Sequence, residues 1–135
     1  MTVSLQRKAN ATMAQTVEVR SHQLVADVSA QEGGGDEGPS PHDLYDAALG
    51  ACKALTLMWF ARKKGIAVDD VQTRITRDDS EERKGVYRLK AELLVSGNFS
   101  DAELAQLVAV AEKCPVHKLM SSVTTEINTT VQRMS

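Results

Sequence analysis

The stretch SPHDLYDAALGACKALTLMWFARKKG, residues 40–65, decides the fold. Ser40 is a good N-cap, and Pro41 suits the first helical position. Asp43 stands three residues after Ser40, where a capping box places its second carboxyl or amide group. Arg62, Lys63 and Lys64 crowd the far end, where the helix dipole favours cations, and Gly65 is a stop signal. Between these ends apolar residues occupy nearly every face: Leu44, Tyr45, Ala47, Ala48, Leu49, Ala51, Ala54, Leu55, Leu57, Met58, Phe60 and Ala61. That pattern predicts a central helix buried all round. Asp46 and Lys53 interrupt the apolar run, which is too short for a membrane span. Cys52 lies in its middle.

Working outward, the chain after Gly65 reads as a hairpin. Val71, Thr73 and Ile75 share one face of a half-buried strand. DSEERKG is a polar loop ending in Gly85. Tyr87, Leu89, Ala91, Leu93 and Val95 then alternate with Arg88, Lys90 and Glu92 on the return strand. Ser100 with Glu103 forms a capping box, and Leu104, Leu107, Val108 and Ala111 make one helical stripe. Pro115 can open another short helix, PVHKLMSS, with Cys114 at or near its N-cap. Val123, Thr125, Ile127, Thr129 and Val131 alternate through an expected last strand. Upstream of the central helix, QEGGGDEGPSP reads as a flexible loop without a phosphate-binding pattern. Weak alternation over residues 2–9, 15–20 and Leu24–Val28 suggests an antiparallel meander with a turn near Asn10. The whole is an α+β chain, read as one domain over residues 1–135.

Net charge is −2, which points to neither nucleic acid nor an anionic membrane. The start, MTVSLQRKANATMAQ, has no apolar core of a signal peptide, so a cytoplasmic location is expected. The two cysteines form no CxxC, and His22, His42 and His117 are scattered. No metal or other cofactor is expected from that spacing.

The cysteines are the candidate chemistry. Cys52, in an Ala/Leu-rich helix, suits plain packing as a small hydrophobe. Cys114 stands just ahead of a proline-started helix, where amide N–H groups and the dipole stabilise a thiolate. Lys113, His117 and Lys118 push the same way. A cap without reactivity is the alternative reading of Cys114.

GPSPHDLYDAALGAC, followed downstream by CPVHKLM, resembles the OsmC/Ohr family of small thiol-dependent hydroperoxide reductases. The resemblance spans most of the chain and is closer to a less characterised branch than to the well-studied peroxidases. It implies two antiparallel sheets around two central buried helices, in an intertwined homodimer with active sites at the subunit interface. It also implies that Cys52 attacks a peroxide and Cys114 resolves the product. Organic hydroperoxides, or another small apolar molecule, are the implied ligands, with a dithiol as reductant. Family members carry a Glu ten residues before the first cysteine and an Arg near the N-terminus. Here the first position is His42, and Arg20 is the nearest candidate for the second. His42 reads either as the cation beside a Cys52 thiolate or as a solvent-facing residue of the first helical turn.

Two principal functions follow. One is a thiol peroxidase using Cys52 and Cys114, with Arg20 or His42 stabilising the thiolate. The other is a non-catalytic binding or redox-sensing protein on the same fold. Metal binding through His117 and Cys114 ranks third.

Overall fold

The alternating N-terminal residues form three strands, β1 (Val3–Arg7), β2 (Gln15–Val19) and β3 (His22–Ala26), paired antiparallel in that order. The structure, a computed structural model, describes residues 1–134. The register sets Val17 opposite both Leu5 and Leu24, and Val17 and Ala26 are buried. Val19 pairs with His22, so Arg20 and Ser21 alone make the turn, and Arg20 takes a left-handed φ of 54°. Asn10, where a turn was expected, has a φ of 63°, a conformation Asn tolerates well.

The glycine-rich loop is tied down rather than flexible. Asp27, buried at its start, accepts the N–H groups of Val28, Gly35 and Glu37 at 2.8, 3.1 and 3.0 Å. Three backbone donors on one carboxylate close the loop like a clasp, a long-range partnership that glycine content does not reveal.

Helix α1 runs from Pro41 to Lys64. The Ser40 hydroxyl accepts the Asp43 N–H at 3.1 Å, and the Asp43 carboxylate accepts the Ser40 N–H at 3.0 Å. Gly65 ends the helix with a φ of 70°, a region costly for residues bearing a Cβ. The expected all-round burial is not met within one chain. Leu49, Leu57 and Ala61 are buried, whereas Leu55, Met58 and Trp59 are 65, 51 and 62 % exposed. A cylinder apolar on every face needs cover on every face, and a single chain covers part of it. The two charges that interrupt the apolar run, Asp46 and Lys53, lie on the covered part.

β4 (Ala67–Asp78) and β5 (Arg88–Asn98) form the second antiparallel sheet. Their connection contains a helical turn, Glu82–Lys84, and Gly85 at a φ of 89°. α2 (Asp101–Glu112) opens on the predicted capping box, the Ser100 hydroxyl accepting the Glu103 N–H at 3.1 Å. α3 (Pro115–Ser122) follows at once.

The chain builds two compact units, Met1–Gly50 with Arg74–Glu92, and Ala51–Thr73 with the residues from Leu93 onward. In the second, Leu57, Ala61, Ile66, Leu107 and Ala111 form the core, with Phe60, Val68, Val71, Leu93, Val95 and Phe99 packed on it. Leu57 and Leu107 are almost fully buried. Each such leucine contributes about 2 kcal/mol of burial free energy.

The expected last strand is absent from the described residues. Residues 123–134 pair with no strand among the described residues, and Ile127 and Val131 are 80 and 93 % exposed. Alternation prepares a segment for a sheet, but a strand needs a neighbouring edge to take its N–H and C=O groups.

Candidate active site

Both sulfurs belong to the second unit, as free thiols. Cys52 sits midway along α1, one turn before Thr56, whose hydroxyl lies 3.9 Å from Cys52 Sγ. Cys114 is the N-cap of α3, with Pro115 at the first helical position. The first turn of α3 serves both. The His117 N–H donates to Cys114 Sγ, and the Val116 N–H donates to Cys52 Sγ, each at 3.4 Å. Two unpaired amides of one helix start are thereby spent on two different sulfurs.

The two thiols are pushed in opposite directions. Burial raises Cys52, but the Val116 N–H, the Cys114 thiol, the Thr56 hydroxyl and the Lys53 charge outweigh it, and Cys52 ends below the usual thiol range. Burial also raises Cys114, which is fully buried; the His117 N–H and Lys53 offset this only in part, and the charge developing on Cys52 adds to it. Cys114 ends above the usual range. The helix-cap position alone favoured a Cys114 thiolate, whereas the family resemblance gave the attack to Cys52; here burial raises Cys114, and the helix start also favours Cys52.

Lys53, next to Cys52, is buried. Its Nζ donates to the Ala111 carbonyl and to His117 Nδ1, each at 2.9 Å. Ala111 lies in the last turn of α2, where carbonyls lack partners within the helix and the dipole favours a cation. An ammonium has no lone pair to offer, so His117 Nδ1 accepts and the ring proton resides on Nε2.

The other predicted site residues have different partners. Arg20 is exposed in the β2–β3 turn. His42 lies in the first turn of α1, exposed, with Nε2 2.7 Å from Glu82 Oε1. It belongs to the first unit and lines a hollow of about 340 Å³ with Pro41, Tyr45, Glu82 and Tyr87. Beside it the buried Asp46 accepts from Arg77 Nε and the Tyr87 hydroxyl, both at 2.6 Å. Arg77 Nη2 also bonds Asp43 at 2.6 Å. Burial and the Asp46 carboxylate raise Tyr87 to about 12.

Lys53, Thr56 and the Val116 amide were not singled out from the sequence. Lys53 carried a signal, a lone cation inside an apolar run beside a cysteine. The Val116 amide carried none, since every residue but proline has one. Among the described residues no three His, Cys, Asp or Glu side chains gather as a metal site requires, and no helix is long and apolar enough to cross a membrane.

Solved structures share this fold. The OsmC-like protein of Mycoplasma pneumoniae superposes with a TM-score of 0.71 at 17% identity, over 90% of this chain and 87% of that one. The organic hydroperoxide resistance protein OsmC of Legionella pneumophila matches at 0.59 and 19% identity, over 90% of each chain. OhrB of Bacillus subtilis, an organic hydroperoxide resistance protein, matches at 0.56 and 23%, over 90% of this chain and 92% of that one. A comparison with curated proteins finds no match. The family described as OsmC-like protein matches residues 33–129, from the clasped loop through both cysteines and into the C-terminal segment. The chain therefore belongs to the OsmC/Ohr family.

Proposed function

We infer that this protein is a thiol-dependent peroxidase that reduces organic hydroperoxides through Cys52 and Cys114. The observation that carries the reading is the pair of sulfurs on one helix start, one favoured as thiolate and the other held as thiol. The Cys52 thiolate attacks the hydroperoxide, an S–O bond forms and the O–O bond breaks. The departing alkoxide takes a proton and leaves as alcohol, and Cys52 becomes a sulfenic acid. The Cys114 thiol attacks that sulfur and water leaves, giving a disulfide. An external dithiol returns both sulfurs to thiols. A disulfide made and broken each cycle suits the cytoplasm, where we place the protein. An alkyl tail gains burial energy that hydrogen peroxide lacks, which favours organic substrates in an apolar site.

The working form in this reading is a homodimer. A second copy would cover Leu55, Met58 and Trp59 and give residues 123–134 a strand partner. Light scattering behind size exclusion checks this; a monomer at micromolar concentration would refute it.

The decisive test is mass analysis before and after one equivalent of an organic hydroperoxide. Loss of two hydrogens with the Cys52 and Cys114 peptides cross-linked is expected, along with lost hydroperoxide consumption in Cys52→Ser. Consumption at the parent rate by Cys52→Ser would sink the reading. His42, standing where family peroxidases carry Glu, favours the second reading, a binding or redox-sensing protein without turnover. Thiols left free after hydroperoxide treatment would select it.

A further inference from the structure

The junction between α2 and α3 presents two helix ends of opposite polarity. The carbonyl end of α2 faces Lys53 through Ala111, and the amide end of α3 faces the two sulfurs through Val116 and His117. Lys53 is 6 % exposed, so its ammonium has lost most of its water. A buried cation needs compensation by an anion or by well-placed acceptors. Among the described residues no carboxylate lies within ion-pair distance of Lys53. Its hydrogen-bond partners are a carbonyl and an imidazole nitrogen, neither of them an anion. Cys52 is its neighbour in sequence on α1, and His117, which it bonds, donates its own N–H to Cys114 Sγ. Of these, only the sulfurs can become anions in the ordinary pH range.

We propose that Lys53 is the fixed positive charge that keeps the Cys52–Cys114 pair singly ionised, and that His117 positions it by accepting through Nδ1. The proton lost from sulfur goes to water, and Lys53 keeps its own. Charge balance runs both ways: the thiolate compensates the buried ammonium, and the ammonium favours the thiolate. Lys53 acts on the nucleophile and touches no substrate, so it is a positioning residue. His117 itself is exposed. The proposal rests on Cys52 being the reactive thiol of the inferred peroxidase.

The test reads thiolate rather than turnover. Iodoacetamide labelling of each cysteine is followed by peptide mass across a pH series, in the full-length protein and its variants. At neutral pH, Lys53→Met should label Cys52 about tenfold more slowly, which is one unit of thiol titration. Lys53→Arg should stay within about twofold of the parent, because it restores the charge. Met replaces a buried cation with an apolar chain of similar length, a change interiors often accept. The exposed His117 supplies the independent pair. His117→Leu should slow Cys52 severalfold with its pH profile moved upward, and His117→Asn, with an oxygen near the Nδ1 position, should restore it. Unchanged Cys52 profiles in folded Lys53→Met would overturn the proposal. Were that variant unfolded, an unchanged profile in His117→Leu would overturn it. A parent that labels as expected yet consumes no hydroperoxide would refute the peroxidase reading and leave the Lys53 assignment standing.

Discussion

The backbone N–H of Val116 donates to Cys52 Sγ across 3.4 Å, joining the start of α3 to the middle of α1. This bond is the largest contribution favouring a Cys52 anion, ahead of those from Thr56 and Lys53 on its own helix. Cys52 is also partly exposed, whereas Cys114 is fully buried. In limiting iodoacetamide at neutral pH, Cys52 should be modified at least about tenfold faster than Cys114, from thiolate fraction and access together. Peptide mapping over a time course measures this, and equal rates would contradict the opposite shifts of the two thiols.

Cys114 caps α3 by accepting the His117 N–H at 3.4 Å. Serine at this position retains an acceptor, while alanine leaves the amide without one. Cys114→Ala should be less stable than Cys114→Ser by about 1 kcal/mol, the usual worth of an N-cap. Urea unfolding of the two variants side by side provides the comparison. Equal midpoints would mean that the sulfur contributes nothing as a cap.

Asp46 is buried and accepts from both Arg77 and Tyr87. Removing it leaves two donors stranded. Asp46→Ala should cost about 3 kcal/mol, and Tyr87→Phe, which loses one bond, about 1 kcal/mol. The same pair has a pH signature. Tyr87 is raised to about 12 by burial and by Asp46, so its contribution is full below the unfolded value near 10 and is lost as pH rises through about 12. Phenolate absorbance should show a late-titrating tyrosine that vanishes in Tyr87→Phe and titrates earlier in Asp46→Asn.

Asp27 is lowered mainly by the Glu37 and Val28 amides, with the Gly35 amide and Lys8 adding to the effect against burial. A carboxyl depressed by folding stabilises above its unfolded value near 3.9, and that contribution fades as pH falls through the lower folded value. Asp27→Asn should destabilise the protein at neutral pH and weaken the loss of stability on acidification. Thermal melts at neutral and acidic pH decide it; parallel losses in parent and variant would remove Asp27 from the acid limb. In the same loop, a Cβ on Gly38 would run into the Val25 carbonyl, so Gly38→Ala should cost about 2 kcal/mol by the same melts.

Local signals were sufficient where their cause is local. Ser40, Pro41 and Gly65 bounded α1, and Ser100 with Glu103 opened α2, because caps act within one turn. The alternation from Val71 to Val95 and the meander were legible because a strand's period is two. The order of the cysteines, with the motifs around them, was enough to suggest the family. Tertiary structure decided everything that depends on distant partners. It set the Val116 amide on a sulfur many turns away in sequence, and it buried Cys114, which outweighs the help its helix cap gives a thiolate. It put Lys53 between the end of α2 and His117, and it drew the glycine loop onto Asp27. It also left Val123–Val131 unpaired among the described residues, since hydrophobic alternation describes a surface while only another edge makes a strand. Burial and hydrogen-bond partnership are properties of pairs of segments, and a single stretch of sequence carries only one member of each pair.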